Sequence, residues 1–317
     1  MTAINTVTGP IEIDHLGFTL MHEHIIVANW AMRQSYPGWL DRATVVRQAV
    51  DALRAARDCG VGAIVDVTTA NIGRDIDLLC EVSERAEMPI VAATGLYWTE
   101  EPSLDRWEVN RLVDWLLPDI TAGMQGTAAR AGIIKCGTDR LGLTPLNRKL
   151  LQVAARLHRL TGVPITTHTN VDFRTGLLQQ EVFAEEGVDL SRVVIGHCGD
   201  SSDGEYLETI LRRGSFIGMD RFGHSQIHPT AERVAIVVEL CRRGWAGQMV
   251  LGHDGDVYSD WSAEALDEHR RGERPWPYCK VSTEILPLLR EAGVTDEQVR
   301  LMAVENPRRL FARQGAY

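Results

Sequence analysis

A chain of 317 residues, 44% apolar and 24% charged, can bury a large core, and α/β barrels of roughly 250 residues and more form single domains. Its formal net charge of −10 speaks against binding to nucleic acid or an anionic membrane, because phosphate contacts need clustered positive charge. No apolar run approaches the roughly 18 residues of a membrane span. The opening "MTAINTVTGPIEID" lacks a basic start followed by an apolar block, so no secretory signal and a cytoplasmic location are expected.

Short apolar, β-rich runs alternate with amphipathic stretches along the whole chain. The predicted strands are 18–25, 63–69, 89–97, 131–138, 164–169, 193–199, 216–220 and 248–254. Between the first two, Val46, Ala49, Val50, Leu53 and Ala56 recur at helical spacing, and Gly60 marks the stop. A second such helix lies between strands four and five, with Thr144 as N-cap, Pro145 in the first turn and Gly162 past the end. Strand–helix alternation implies a parallel sheet, and eight units point to a closed (β/α)8 TIM barrel. A Rossmann sheet is the alternative, but no G-x-G-x-x-G follows the first strand. Residues 1–317 therefore read as one barrel domain. The weakly patterned stretch 255–280 follows the eighth strand, where a barrel carries an active-site loop.

The six cysteines are scattered without a C-x-x-C pair, which suits reduced thiols. Of 33 basic residues only Lys135, Lys149 and Lys280 are lysines, so a lysine inside an apolar strand calls for a specific reason. The carboxyl ends of barrel strands converge on one face. Here those ends carry His22 and His24, Lys135, His168, His197 and Asp254. Alternation along a strand turns His22 and His24 to one side and Glu23 to the other. It also separates Lys135 from Cys136 and His197 from Cys198, leaving both cysteines as core filler. One histidine in a strand is more often a satisfied polar residue than a ligand. Four at convergent ends, each costing about 1–3 kcal/mol if left unpartnered, point instead to a metal site. Lys135 can snorkel to the barrel mouth, or its amine can react with CO2 to give an anionic carbamate that bridges two cations.

In "FTLMHEHI", "ATGLY", "AGIIKCGTD", "PITTHTN", "VVIGHCGDSSD", "FIGMDRFG", "LGHD" and "VENPRRLFARQG" the chain resembles the amidohydrolase superfamily, and within it the phosphotriesterase-like lactonases. The resemblance runs in order over essentially the whole sequence. It implies a binuclear centre: His22, His24 and Asp254 hold the more buried ion, and His168 and His197 the more exposed one. Carboxylated Lys135 and a hydroxide bridge the two. The ions are divalent, zinc foremost, with cobalt, manganese or iron as alternatives. Lactone opening is the implied activity, with N-acyl-homoserine lactones and hence quorum quenching as candidates and phosphotriesters as weak side substrates. The alternative is that the same site acts mainly on phosphotriesters, or on another carboxylic ester or amide. The resemblance also implies that Tyr97 and Arg221 face the substrate and that the protein is a homodimer; in such a site Asp254 can accept the hydroxide's proton and pass it to the leaving alkoxide.

Other readings of these residues stand beside the functional ones. Tyr97 is otherwise a core aromatic, and Arg221 a structural salt-bridge partner of Asp220 or of a loop carboxylate. Trp98 and Phe222 are substrate-pocket candidates; Trp261, Trp276 and Tyr278 either line an apolar substrate pocket or pack the loop down. His253 points away from the metals. Two stretches depart from the lactonase pattern: "WTEEPSLDRWEVN" is short and acidic where an aromatic-rich segment is expected, and "GDVYSDW" is unusual. Both shape the acyl pocket, so long-chain substrates are less secure than the lactone chemistry.

Overall fold

The computed structural model describes residues 3–99, 101–271, 277–312 and 315–317. Eight strands form one parallel sheet in chain order: Phe18–Glu23, Val61–Asp66, Ile90–Gly95, Ile133–Gly137, Ile165–His168, Val193–Ile195, Phe216–Met219 and Met249–Leu251. Helices lie between them, and the sheet is nearly closed into an α/β barrel of TIM type. The two helices read from periodicity span Arg42–Asp58 and Pro145–Thr161, and both start on side-chain caps, from Asp41 to Thr44 N and from Thr144 to Asn147 N. Each ends at a glycine of positive φ, Gly60 at 90° and Gly162 at 75°.

Two cores follow from the period of two. Ile64, Ile90, Ala92 and Ile134 face the helices, while Val65, Val91, Ala93 and Ile133 fill the barrel interior. An antiparallel hairpin, Ala3–Thr6 with Gly9–Glu12, and the C-terminal helix Asn306–Ala312 add Ile4, Leu310 and Phe311 to that interior cluster. Lys135 sits two residues beyond Ile133, so it too points inward, at the mouth. Its strand neighbour Gly95 has φ 109°, and a Cβ there would stand 2.0 Å from the Lys135 carbonyl oxygen, so only glycine fits.

The strands are shorter than the sequence suggested, which changes why the site residues face one another. Met21 already packs inside the barrel, so a regular strand would turn His22 towards the helices. A register irregularity between Leu20 and Glu23 lets His22 face inward instead. His197 and Asp254 lie beyond their strands in left-handed backbone, at φ 58° and 53°. Turns, not alternation, aim those two side chains.

Among the described residues no ladder joins the first strand to the eighth. Polar contacts close the seam: Asp254 N donates to His22 O at 3.0 Å and His24 N to Gly255 O at 2.8 Å. The buried carboxylate of Glu23 accepts from His253 N and Nδ1, both at 2.8 Å, and from Gly255 N at 3.2 Å. The loop after the eighth strand is more structured than its sequence indicates. Tyr258–Ser259 pairs in parallel with Ile26–Val27, and a helix follows over Ala263–Arg271. Among the described residues no helix is long and apolar enough to cross a membrane.

Candidate metal centre

His22, His24, Lys135, His168, His197 and Asp254 meet at the carboxyl mouth of the barrel. His22 Nε2 and His24 Nε2 lie 3.5 and 3.3 Å from Asp254 Oδ1. Lys135 Nζ lies 2.8 Å from His22 Nε2, and His197 Nε2 lies 2.9 Å from His168 Nδ1. All but Asp254, at 12% side-chain exposure, are buried.

In every imidazole the other ring nitrogen is already engaged. His22 Nδ1 and His197 Nδ1 both bond to Asp220, at 3.1 and 3.0 Å. His24 Nδ1 meets Thr68 Oγ1 at 2.7 Å, and His168 Nε2 meets Asp139 Oδ2 at 3.3 Å. Where the partner is a carboxylate, the imidazole must be the donor, so its second nitrogen turns a lone pair inward. His168 Nδ1 and His197 Nε2 are then two acceptors facing each other at 2.9 Å. Protonating either would relieve the clash, but burial opposes it. Burial, with the charge of Lys135, lowers His22 to about 4; burial foremost also lowers His168 to about 4 and His197 well below its ordinary value. A cation between such lone pairs satisfies them, so these residues fit a metal. His22, His24 and Asp254 form one group with ligand atoms close enough to share an ion.

His22, His197 and Asp220 form a second compact group, but Asp220 is not on the inward side. Its two oxygens receive His22 Nδ1, His197 Nδ1 and also His197 N at 2.9 Å. Burial pushes its carboxyl up, yet the two histidines hold it well below the usual range. Asp220 orients two of the ligand candidates, His22 and His197, and holds the left-handed turn at His197. The sequence reading missed this role, although "FIGMD" puts an aspartate at the seventh strand's end, where the signal was available.

Asp254 belongs to a chain of alternating charges. Arg221 Nε donates to Asp254 Oδ2 at 2.7 Å and Arg221 Nη1 to Asp200 Oδ2 at 2.9 Å, and the buried Arg233 closes on Asp200. Burial alone would raise the Asp254 carboxyl; His197 and Arg221 outweigh it and hold it well below the usual range. His197 is neutral at pH 7, so the lasting cause there is the guanidinium. Burial pushes the Lys135 amine down to about 8.

Tyr97 and Arg221 line a cleft of 290 Å³ beside Asp254 and His24, with His224 and Trp261 in its wall. The Tyr97 phenol lies 3.0 Å from His168 Nδ1, and its burial and the nearby Asp254 raise its pKa. The pocket aromatics divide. Trp261 is 54% exposed and packs edge-on to Tyr97, while Trp98 stacks beside His168. Phe222 is 1% exposed and belongs to the core between sheet and helices, so it is no pocket wall. Tyr278 is fully buried, its hydroxyl donating to His24 O, and acts as a strut beneath the ligand turn. Trp276 lies outside the described residues. His253 turns away from the centre, bonded to Glu23 and accepting from Val281 N at 2.9 Å.

The lowered histidines carry a consequence for the metal-free protein. Unfolded, each titrates near 6.5; folded, His22 and His168 titrate near 4. Below pH 6.5 the unfolded chain binds more protons, so stability falls as pH drops from 6.5 to 4 and is unaffected by these groups above that window. Melting temperatures of chelator-treated protein across this range are expected to show that decline, and a flat profile would mean that the imidazoles are solvated.

Comparison with known proteins gives the family. The model of the Phosphotriesterase family matches residues 2–311. The chain is 44% identical to the "Phosphotriesterase homology protein" of Mycobacterium tuberculosis over all of both chains. It is 35% identical to the "Aryldialkylphosphatase" of Saccharolobus solfataricus, over 95% of this chain and 97% of that one. A solved phosphotriesterase structure from Mycobacterium tuberculosis superposes with a TM-score of 0.93 at 44% identity, covering 99% of this chain and 100% of the other. Barrel, ligand geometry and sequence agree: the chain belongs to the phosphotriesterase family of hydrolases.

Proposed function

We propose that this hydrolase opens lactones at a binuclear centre held by His22, His24, Lys135 as its carbamate, His168, His197 and Asp254. The observation that carries the reading is the pairing of Tyr97 and Arg221 around one cleft, the first at His168 Nδ1 and the second on Asp254. Two bound divalent ions would supply an activated water at neutral pH and Lewis acidity towards the substrate carbonyl.

The chain's own residues account for the rest. The Tyr97 phenol stays protonated and so can donate to the oxyanion that develops on the substrate. Asp254 accepts the proton of the attacking water and returns it to the departing alkoxide. Arg221 does not titrate and cannot carry that proton outward; it aims Asp254 and makes its acid form a ready donor. An alkoxide leaving from a lactone needs such a donor, whereas an activated aryl oxide leaving from a phosphotriester does not. N-acyl-homoserine lactones, and with them quorum quenching, fall within this chemistry.

A second reading, phosphotriester hydrolysis as the main activity, is favoured by the names of the relatives. A panel of lactones, paraoxon and N-acyl amino acids, turned over by zinc-, cobalt- or manganese-loaded enzyme, separates the two. Lactones are expected to show the highest kcat/KM, and a lower value than for paraoxon would sink the lactone reading. Tyr97→Phe is expected to cut kcat on lactones by about 10- to 100-fold at unchanged metal content. Full activity in that variant would remove the phenol from the chemistry.

A further inference from the structure

A second cavity of 600 Å³ adjoins the reaction cleft, and Ile72 and Trp261 border both. It lies between the segments that follow the first and second strands, with Trp30 on its wall and Glu101 and Asp260 as its charged residues. Among the described residues no lysine, arginine or histidine lines it. Arg33, which stacks on Trp30 at 4.7 Å, is committed to Asp75 at 2.6 Å.

The two carboxylates differ. Asp260 is held by Asn29 N and Trp39 Nε1, both at 2.7 Å, so it is a structural tie. Glu101 has no hydrogen bond or ion pair through its carboxylate among the described residues. It comes from the "WTEEPSLDRWEVN" stretch, whose acidity the catalytic chemistry leaves unexplained. The cavity is also wired to the site. Asn71 on its wall accepts from Tyr97 N at 2.9 Å, and its Nδ2 donates to Thr99 Oγ1 at 3.1 Å. An arm of substrate resting there lies beside the backbone that positions the phenol.

We infer that this cavity is a distal substrate lobe, reached past Trp261, which takes an acyl arm ending in an ammonium group, with Glu101 as its counter-charge. A negative, partly enclosed lobe with aromatic walls attracts an organic cation by both charge and ring quadrupole. A long alkyl tail there would strip water from two carboxylates without return. The inference rests on the proposed function in that the carbonyl of an ester or lactone must occupy the adjoining cleft.

The test uses two lactones of equal length, N-(6-aminohexanoyl)- and N-heptanoyl-homoserine lactone, with the metal-loaded full-length enzyme. The ammonium-bearing compound is expected to have a kcat/KM about tenfold higher, carried by KM and shrinking in roughly 0.5 M salt. That ratio is expected to fall to about one in Glu101→Gln and to invert in Glu101→Lys. A native ratio at or below one, or a ratio unchanged in Glu101→Gln, overturns the lobe. If neither lactone is turned over, the lactonase reading has failed instead. Calorimetric titration of both compounds into native and Glu101→Gln protein then reads the same ratio as Kd, and equal Kd values overturn the lobe on their own.

Discussion

Lys135→Ala is expected to lower lactone hydrolysis by about a thousandfold or more and to leave the purified protein depleted in metal. The reason lies in the environment of the amine. Lys135 is 1% exposed, has no ion pair among the described residues, and stands 2.8 Å from an inward imidazole nitrogen. An unpaired buried ammonium beside two cations would be strongly disfavoured. Burial lowers its pKa to about 8, so a neutral, nucleophilic amine is available near neutral pH to form the C–N bond of a carbamate. The anion so formed suits the same pocket that the cation does not. Metal content by plasma spectrometry, with circular dichroism to confirm the fold, distinguishes this from simple misfolding. Propionate added to the alanine variant is expected to restore part of both metal and activity. Native-like activity without it would end the bridging role.

Asp220→Asn is expected to weaken metal binding by about 10- to 100-fold while the barrel still folds. One carboxylate receives Nδ1–H from two imidazoles that the sequence places 175 residues apart, at His22 and His197 (197 − 22). An asparagine offers one acceptor and one donor, so one imidazole must flip its tautomer or lose its partner, and an inward lone pair goes with it. The backbone bond from His197 N is exposed to the same change. Chelator-competition titrations would measure the loss. Asp139→Asn, which touches only His168 among the ligand candidates, should lose less. Unchanged affinity in Asp220→Asn would mean that the imidazoles are held by packing alone.

Chemistry-bearing residues were legible in the sequence where strand geometry was regular. Lys135 and His168 follow the period of two from the interior residues of their own strands, and the helix stripes and their caps fell where propensity placed them. The same reasoning places Phe222 among the pocket candidates and leaves Tyr278 open between pocket wall and loop packing; the structure puts the first in the core and makes the second a strut. An aromatic near a strand end or in a long loop has no one-dimensional mark that separates a pocket wall from a core residue or a strut. The acidity of the segment around Glu101 was visible as a departure, but not the cavity it faces.

Residue types, their order and the repeating unit are local properties, so the sequence by itself determined the barrel class and the identity of the residues that gather at its mouth. Their facing is not local. His22 turns inward through a strand irregularity, His197 and Asp254 through left-handed turns, and the first and eighth strands are joined through Glu23 in place of a ladder. Each of these is held by groups from distant strands, above all Asp220 and the Arg221 chain. Only closure of the barrel brings those partners within hydrogen-bond reach, and only then are the imidazole lone pairs forced to point at one another.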